Sequence, residues 1–151
     1  MASYVPIRKA REITWNMNIP ISLSAICRKT GIEMLFSKEM NAIGACYFNC
    51  GGRRLIIVND NTRRERQRFS IAHEIGHFIL GHGPLAFNLV KTDEDRFPSQ
   101  EVQANAFAAE LLMPKPYLQH YGYLTPSQIA QICDVSLGAA TIRAREFGWL
   151  T

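Results

Sequence analysis

The stretch FSIAHEIGHFILGH, residues 69–82, carries three histidines and one glutamate among apolar residues. On a helix, His73 and His77 lie on one face with Cβ atoms about 5–6 Å apart, which lets two imidazoles bind one ion at about 2.0–2.1 Å. Glu74 is turned by about 100° from His73, so it is better placed to reach a water on the ion than the ion itself. The alternative is that these three side chains only hydrogen-bond to one another and to the backbone. A metal would offset the desolvation of all three polar groups together, which favours a metal site.

The third histidine of this stretch is out of register for the same ion. His82 follows His77 by five residues, whereas the pattern H-E-x-x-H-x-x-G-x-x-H has its last histidine six residues on. If the helix continued, His82 would point about 180° away from His73. We therefore expect His82 at the surface or beside a ligand, but not on the metal.

The third ligand is predicted on the next helix, SQEVQANAFAAELLMP, residues 99–114. On its helical projection Glu101 lies on the apolar face, whereas Glu110 falls on the opposite side and is expected to be solvated. Asn105 shares the face of Glu101 and can hydrogen-bond a ligand histidine. The alternative for Glu101 is an acid near the helix N-terminus that is stabilised only by the helix dipole.

Gly76 lies inside the histidine helix, where glycine costs about 1 kcal/mol relative to alanine. Its presence indicates that another element approaches closely beside the two histidines. Ala104 and Ala108 are small side chains on the helix of Glu101, and they would allow that helix to be the approaching element.

Hydrophobic periodicity predicts the elements that hold this site. The helix at 63–80 is expected to begin with a capping box of Thr62 and Glu65 and to end at Gly81. Before it, the apolar period changes to two, as in strands. We predict two short helices at 7–17 and 21–30, then strands at 32–37, 43–49 and 53–59, with a Cys50-Gly51-Gly52 turn joining the last two strands.

The composition is that of a globular protein: 151 residues, 47% hydrophobic and 20% charged, with a net charge of +4. We expect one domain over 1–151, and disordered and fibrous classes are excluded. The mild positive charge permits a nucleic-acid partner without requiring one. The N-terminus is unlike a signal peptide and no apolar run reaches about 18 residues, so we expect a cytoplasmic protein with no membrane partner. The cysteines are expected to be reduced, with Cys46 and Cys50 packed rather than binding a metal.

The pattern of residues 125–147 predicts a helix-turn-helix-like pair. Thr125 caps the first helix and Ser136 caps the second. The second helix begins with LGAA, residues 137–140, which offers no polar side chains to base edges. We interpret the pair as closing helices of the same domain and expect no direct nucleic-acid binding, with a DNA-binding module as the alternative.

Two segments, RFSIAHEIGHFIL and EVQANAFAAELLMP, resemble the motifs of the ImmA/IrrE family of bacterial and phage-associated metallopeptidases. The second segment is the more specific. It matches the family pattern at Glu101, Ala104, Asn105, Phe107, Ala108, Leu111, Leu112, Met113 and Pro114. The resemblance implies an α+β, zincin-like metallopeptidase domain, in which a short three-stranded sheet packs on the H-E-x-x-H helix and on a second ligand helix, with a C-terminal helical pair. It also implies that His73, His77 and Glu101 bind zinc and that Glu74 is the catalytic base.

The function expected from this resemblance is a zinc-dependent endopeptidase that cleaves a regulatory protein, a helix-turn-helix repressor. Glu74 would take a proton from the attacking water and deliver it to the leaving amine. The connection 82–98 is expected to form the rim or lid of the cleft. A hydrogen-bond donor to the oxyanion is also expected, and the sequence does not decide which residue supplies it. The candidates are His82, His120, Tyr121 and Tyr123. The alternatives are a non-enzymatic regulatory or DNA-binding module with a structural or vestigial metal, and an anti-repressor that acts by binding alone.

Overall fold

The architecture is α+β, as predicted, in a computed structural model that describes residues 4–40, 43–82 and 98–150, and only the backbone of Cys50. In chain order the elements are α1 (Val5–Thr14), α2 (Leu23–Thr30), β1 (Ile32–Ser37), β2 (Ala45–Cys50), β3 (Arg53–Asn59), α3 (Arg64–Ile79), α4 (Pro98–Leu112), α5 (Lys115–His120), α6 (Pro126–Cys133) and α7 (Leu137–Glu146). The sequence pattern did not predict the short helix α5. In the part of the chain that is described, no helix combines the length and apolar character needed to cross a membrane.

The three predicted strands form a mixed sheet in the order β1-β3-β2. β1 runs parallel to the central strand β3, and β2 runs antiparallel to it. In the turn between β2 and β3, Gly51 has φ 58° and Gly52 has φ 82°, the left-handed conformation that a tight hairpin requires. Ile56 and Val58 share one face of β3 and are fully buried, and α3 packs against β2 and β3. The sheet therefore supports the helix that carries the histidines.

Helix α3 begins at Arg64, and the capping box predicted at Thr62 and Glu65 is wrong. The residue before the helix is Arg63, which makes no side-chain cap. The hydroxyl of Thr62 instead donates to the carbonyl oxygen of Asn59 at 2.9 Å, because the chain turns out of β3 before it enters the helix. The second half of α3 is enclosed, and every residue from 71 to 77 is buried.

The C-terminal helices α6 and α7 have the predicted caps. The hydroxyl of Thr125 accepts from the backbone N–H of Gln128, whose side chain accepts in return from the Thr125 N–H. Ser136 caps α7 through its hydroxyl. Both helices are thus defined by local side-chain contacts.

The turn between α6 and α7 is bonded to the start of α3. Asp134 has φ 57° in this turn and accepts from Arg64 at 2.6 Å. This hydrogen bond raises the pKa of the Arg64 guanidinium. Arg68 donates to the Asp134 carbonyl at 2.9 Å and to the carbonyl of Ile21 at 3.0 Å, and burial lowers its pKa. The first two turns of α3 therefore link the segment before α2 to the C-terminal pair.

Glu110 of α4 is buried, with 1% of its surface exposed, so the prediction that it is solvated is wrong. Arg143 of α7 donates to Glu110 at 2.7 Å and to the carbonyl of Met113 at 3.0 Å. The Lys115 N–H donates to the second carboxylate oxygen of Glu110 at 2.9 Å, and Arg11 of α1 lies 3.4 Å from the same oxygen. Because α1 packs on this side of α4 and Arg143 reaches it from α7, while α3 packs on another side, α4 has two buried faces rather than one.

Two cysteines lie in the core as neutral thiols. Burial raises the pKa of Cys27 to about 11 and that of Cys133 to about 12, so neither forms a thiolate near neutral pH. Cys46 is also buried, in β2. The side chain of Cys50 lies outside the described residues, so the packing of the Cys46 and Cys50 pair stays a prediction.

Gly76 of α3 lies against Phe107 of α4. A Cβ on Gly76 would be 2.9 Å from Phe107 Cδ1 and 3.3 Å from its Cβ and Cγ. Phe107 is fully buried, so its ring has little room to move away. The predicted close approach of the two helices is confirmed, with a phenylalanine rather than an alanine at the point of contact.

We expect Gly76→Ala to lower the free energy of unfolding by up to about 2 kcal/mol, because overpacking against Phe107 costs about 1–3 kcal/mol while the higher helix propensity of alanine offsets about 1 kcal/mol. Gly138→Ala in α7 is the control, since its Cβ would meet nothing closer than Ser136 Oγ at 3.9 Å. Alanine there should be neutral or stabilising by up to about 1 kcal/mol. Urea unfolding measures both variants, and equal effects would contradict the close approach.

We expect Glu110→Ala to lower the free energy of unfolding by about 3–5 kcal/mol, because Arg143 would stay buried without this carboxylate. Glu146 also accepts from Arg143, at 2.8 Å, but its side chain is 48% exposed. Glu146→Ala should therefore cost less than about 1 kcal/mol. Thermal unfolding measures the stability of both variants. If Glu146→Ala destabilises the protein as much as Glu110→Ala does, the buried ion pair is no more important than the exposed one.

Candidate metal centre

Helices α3 and α4 bring three donor groups to one point. His73 and His77 are one turn apart on α3, and their Nε2 atoms lie 3.0 Å from each other. Glu101, in the first turn of α4, places Oε2 2.9 Å from His73 Nε2 and Oε1 2.9 Å from His77 Nε2. The two nitrogens and the carboxylate face one another across the helix pair.

The donor set and its burial fit a small divalent metal ion. Nitrogen and carboxylate donors about 2.0–2.1 Å from one tetrahedral ion are about 3.3 Å apart, so only a small outward movement is needed from the observed separations. His77 is fully buried, and the side chain of Glu101 is 15% exposed. Three protein ligands of this kind leave one tetrahedral position for another ligand.

The other ring nitrogens of both histidines are held by hydrogen bonds. Asn105 Oδ1 lies 2.7 Å from His73 Nδ1. His82 Nδ1 lies 2.9 Å from His77 Nδ1, and His82 Nε2 lies 3.0 Å from Gln103 Oε1. These contacts leave both Nε2 atoms for the centre. The sequence pattern did not indicate Gln103, because its partner lies beyond the end of α3.

Glu74 is buried on α3 beside the histidines, with 2% of its surface exposed. It follows His73 directly, so the helix turns it about 100° away. Its carboxylate does not belong to the cluster of donors formed by His73, His77 and Glu101. Two carboxylates are thus available for two roles. Glu101 would bind an ion, and Glu74 would accept and donate a proton.

The other candidate cleft residues lie at the end of α5 and just after it. The hydroxyl of Tyr121 is 3.0 Å from that of Tyr117, and the ring of His120 packs edge-on to Tyr121. Tyr123 packs against Trp149, with ring centroids 6.1 Å apart. A role for His120, Tyr121 or Tyr123 at the oxyanion stays a prediction. Most of the connection predicted as the rim, 83–97, lies outside the described residues.

A cavity of about 890 Å³ lies between α3, α4 and α7. Apolar side chains such as Phe69, Val102 and Ile142 form much of its wall. Asn105 also lines the cavity, whereas the donor residues His73, His77 and Glu101 do not. The cavity is therefore next to the residue that holds His73 Nδ1, not at the donors themselves.

The fold and the site together define a zincin-like metallopeptidase domain, because an H-E-x-x-H helix supplies two donors and a second helix supplies a glutamate. The chain belongs to the ImmA/IrrE family. The family model described as IrrE N-terminal-like domain, Peptidase M78, matches residues 27–145. The resemblance drawn from the motifs is confirmed.

Two characterised relatives have metallopeptidase names. The chain is 40% identical over 67 residues to the radiation response metalloprotease IrrE of Deinococcus radiodurans, which is 42% of this chain and 20% of that protein. It is 33% identical over 88 residues to the metallopeptidase ImmA of Bacillus subtilis, which is 54% of this chain and 49% of that protein. The chain thus matches a fifth of the first relative and about half of the second.

A solved structure has the same fold. A protein described as a Mycobacterium tuberculosis transcriptional regulator aligns with a TM-score of 0.63 over 94% of this chain and 47% of its own length. The sequence identity is 16%, so the likeness concerns the fold alone.

We expect the purified protein to bind one divalent metal ion per chain and His77→Ala to lose it, because that change removes a donor from the centre of the cluster. His120→Ala removes an exposed histidine at the end of α5 and should leave the metal content unchanged. Elemental analysis measures the metal. A chelator should lower the melting temperature of the wild type and the control, but not that of His77→Ala. Equal metal content in both variants would show that the cluster does not bind the ion.

Proposed function

We propose that this chain is a zinc-dependent endopeptidase that cleaves a regulatory protein, a helix-turn-helix repressor. The observation that carries the proposal is the convergence of His73, His77 and Glu101, with the buried carboxylate of Glu74 next to them on the same helix. Membership of a metallopeptidase family supports the reaction. A cytoplasmic location is part of the proposal, and the neutral core thiols of Cys27 and Cys133 are compatible with it.

His73, His77 and Glu101 would hold the ion. Two imidazoles and one carboxylate are a zinc donor set of the kind used for hydrolysis. When bound, zinc polarises a peptide carbonyl and lowers the pKa of water towards about 7. Asn105 orients His73 by accepting a hydrogen bond from its Nδ1 at 2.7 Å.

Glu74 would act as general base and then as general acid. Its carboxylate accepts a proton from the water whose oxygen attacks the peptide carbonyl carbon. When the carbon–nitrogen bond breaks, the same proton passes from Glu74 to the leaving amine, so the carboxylate is restored. Burial favours this role because few waters compete for the carboxylate.

We propose that the helix pair at 125–147 packs against the domain or contacts the partner protein and does not read DNA. Arg143 of α7 is engaged with Glu110, and Arg145 is the exposed arginine of that helix. The start of α7 presents Leu137 to solvent, with 58% of its surface exposed. An apolar start offers bases no hydrogen-bonding groups.

We expect Glu74→Gln to lower the rate of repressor cleavage by about 10²–10⁴-fold while the zinc content stays unchanged, because glutamine keeps the size of the side chain but cannot take the proton. Wild type and variant would be incubated with candidate repressors, such as one encoded beside this gene, and the fragments followed by mass spectrometry. A chelator added to the wild type should also stop cleavage.

The control is Glu65→Gln, which makes the same change at the first turn of α3 and should cleave like the wild type. If Glu74→Gln inactivates the repressor as well as the wild type does, with no new chain ends in either reaction, the protein acts by binding and the enzymatic proposal fails.

A further inference from the structure

The position of His82 follows from the way α3 ends. Gly81 has φ 77°, a left-handed conformation that reverses the chain after Leu80. The His82 N–H then donates to the His77 carbonyl at 2.9 Å, and the Gly81 N–H donates to the Phe78 carbonyl at 3.1 Å. These two bonds make up a Schellman motif. The reversal brings His82 back onto the last turn of the helix, where a continuing helix would have pointed it away.

The ring of His82 reaches the side of His77 that faces away from the metal centre. Their Nδ1 atoms are 2.9 Å apart, so one of the two must donate and the other accept. The opposite nitrogen of His82 lies 3.0 Å from the side-chain carbonyl oxygen of Gln103, which can only accept. His82 therefore donates from Nε2 to Gln103. A neutral His82 then accepts at Nδ1, and His77 must carry its proton on Nδ1.

We propose that His82, oriented by Gln103, is a positioning residue that fixes the tautomer and ring orientation of His77. With its proton on Nδ1, His77 presents an unprotonated Nε2 towards His73 and Glu101. This inference rests on the proposed function, because it takes His77 to be a metal ligand. It gives His82 a role on the far side of the ligand, in place of the oxyanion role considered from the sequence.

Burial makes this contact hard to replace. His77 is fully buried and His82 is 8% exposed, so water has little access to the Nδ1 of His77 if its acceptor is removed. Hydrogen-bond partners of metal-ligating histidines typically change metal affinity by about 10–100-fold when they are mutated. We expect an effect in this range.

The test compares the zinc dissociation constants of His82→Phe and His82→Asn, measured by competition with a chromophoric chelator. Phenylalanine keeps a ring but has no acceptor, and it should weaken zinc binding by about 10–100-fold. The Oδ1 of asparagine lies close to the position of the His82 Nδ1 and can accept from His77, so His82→Asn should retain most of the affinity. His120→Phe makes the same histidine-to-phenylalanine change at an exposed site and should bind like the wild type.

A spectroscopic readout separates positioning from a general loss of structure. In the zinc-loaded wild type, the Nδ1 proton of His77 should be visible by NMR and slow to exchange, and in His82→Phe it should exchange faster. The melting temperature of the metal-free protein checks the fold. If His82→Phe does not fold, Gln103→Ala, which leaves both histidines in place, should weaken zinc binding in the same direction.

Tight zinc binding by the wild type together with unchanged binding by His82→Phe or, where that variant is unfolded, by Gln103→Ala, would overturn this inference and leave the proposed function standing. Equal losses in His82→Phe and His82→Asn, with an unchanged Nδ1 proton signal, would also overturn it. A wild type that binds no zinc would refute both proposals together.

Discussion

Helix α4 can lie directly against α3 because Gly76 has no side chain at the point where Phe107 packs. The rest of the site depends on this contact. It brings the first turn of α4 close enough for Glu101 to reach the Nε2 atoms of both histidines at 2.9 Å. A larger residue at position 76 would push the two helices apart. The shift would be large enough to prevent Glu101 from binding the same metal ion as the two histidines.

Much of the fold was predictable because local patterns determine it. The change from a period of two to a helical period located the strands and α3, and the paired glycines after Cys50 located the hairpin. The caps at Thr125 and Ser136 were also predictable, since their partners lie three residues away. The prediction at Thr62 failed because the same hydroxyl can bond backward, to Asn59, as well as forward to a helix.

Features that depend on distant partners were not predictable. The helical projection predicted a solvated Glu110, but Arg143, 33 residues later, forms a buried ion pair with it. The motif spacing placed His82 outside the predicted ligand set, but it gave no sign of Gln103, which lies 21 residues further along the chain. Helical periodicity also does not predict where side chains point after a left-handed glycine such as Gly81. The backbone dihedral angles of the glycine set the direction of the chain there, and the hydrophobic pattern contains no information about them.

Helix α4 joins two parts of the structure, one through Glu101 and the other through Glu110. It carries Glu101 in its first turn and Glu110 in its last, about 13 Å apart along a stiff rod. Arg143 of α7 donates to Glu110, so α7 and the candidate metal centre lie at opposite ends of this helix. Because a close-packed interior has low compressibility, the positions of Glu101 and of α7 are fixed relative to each other through this one helix.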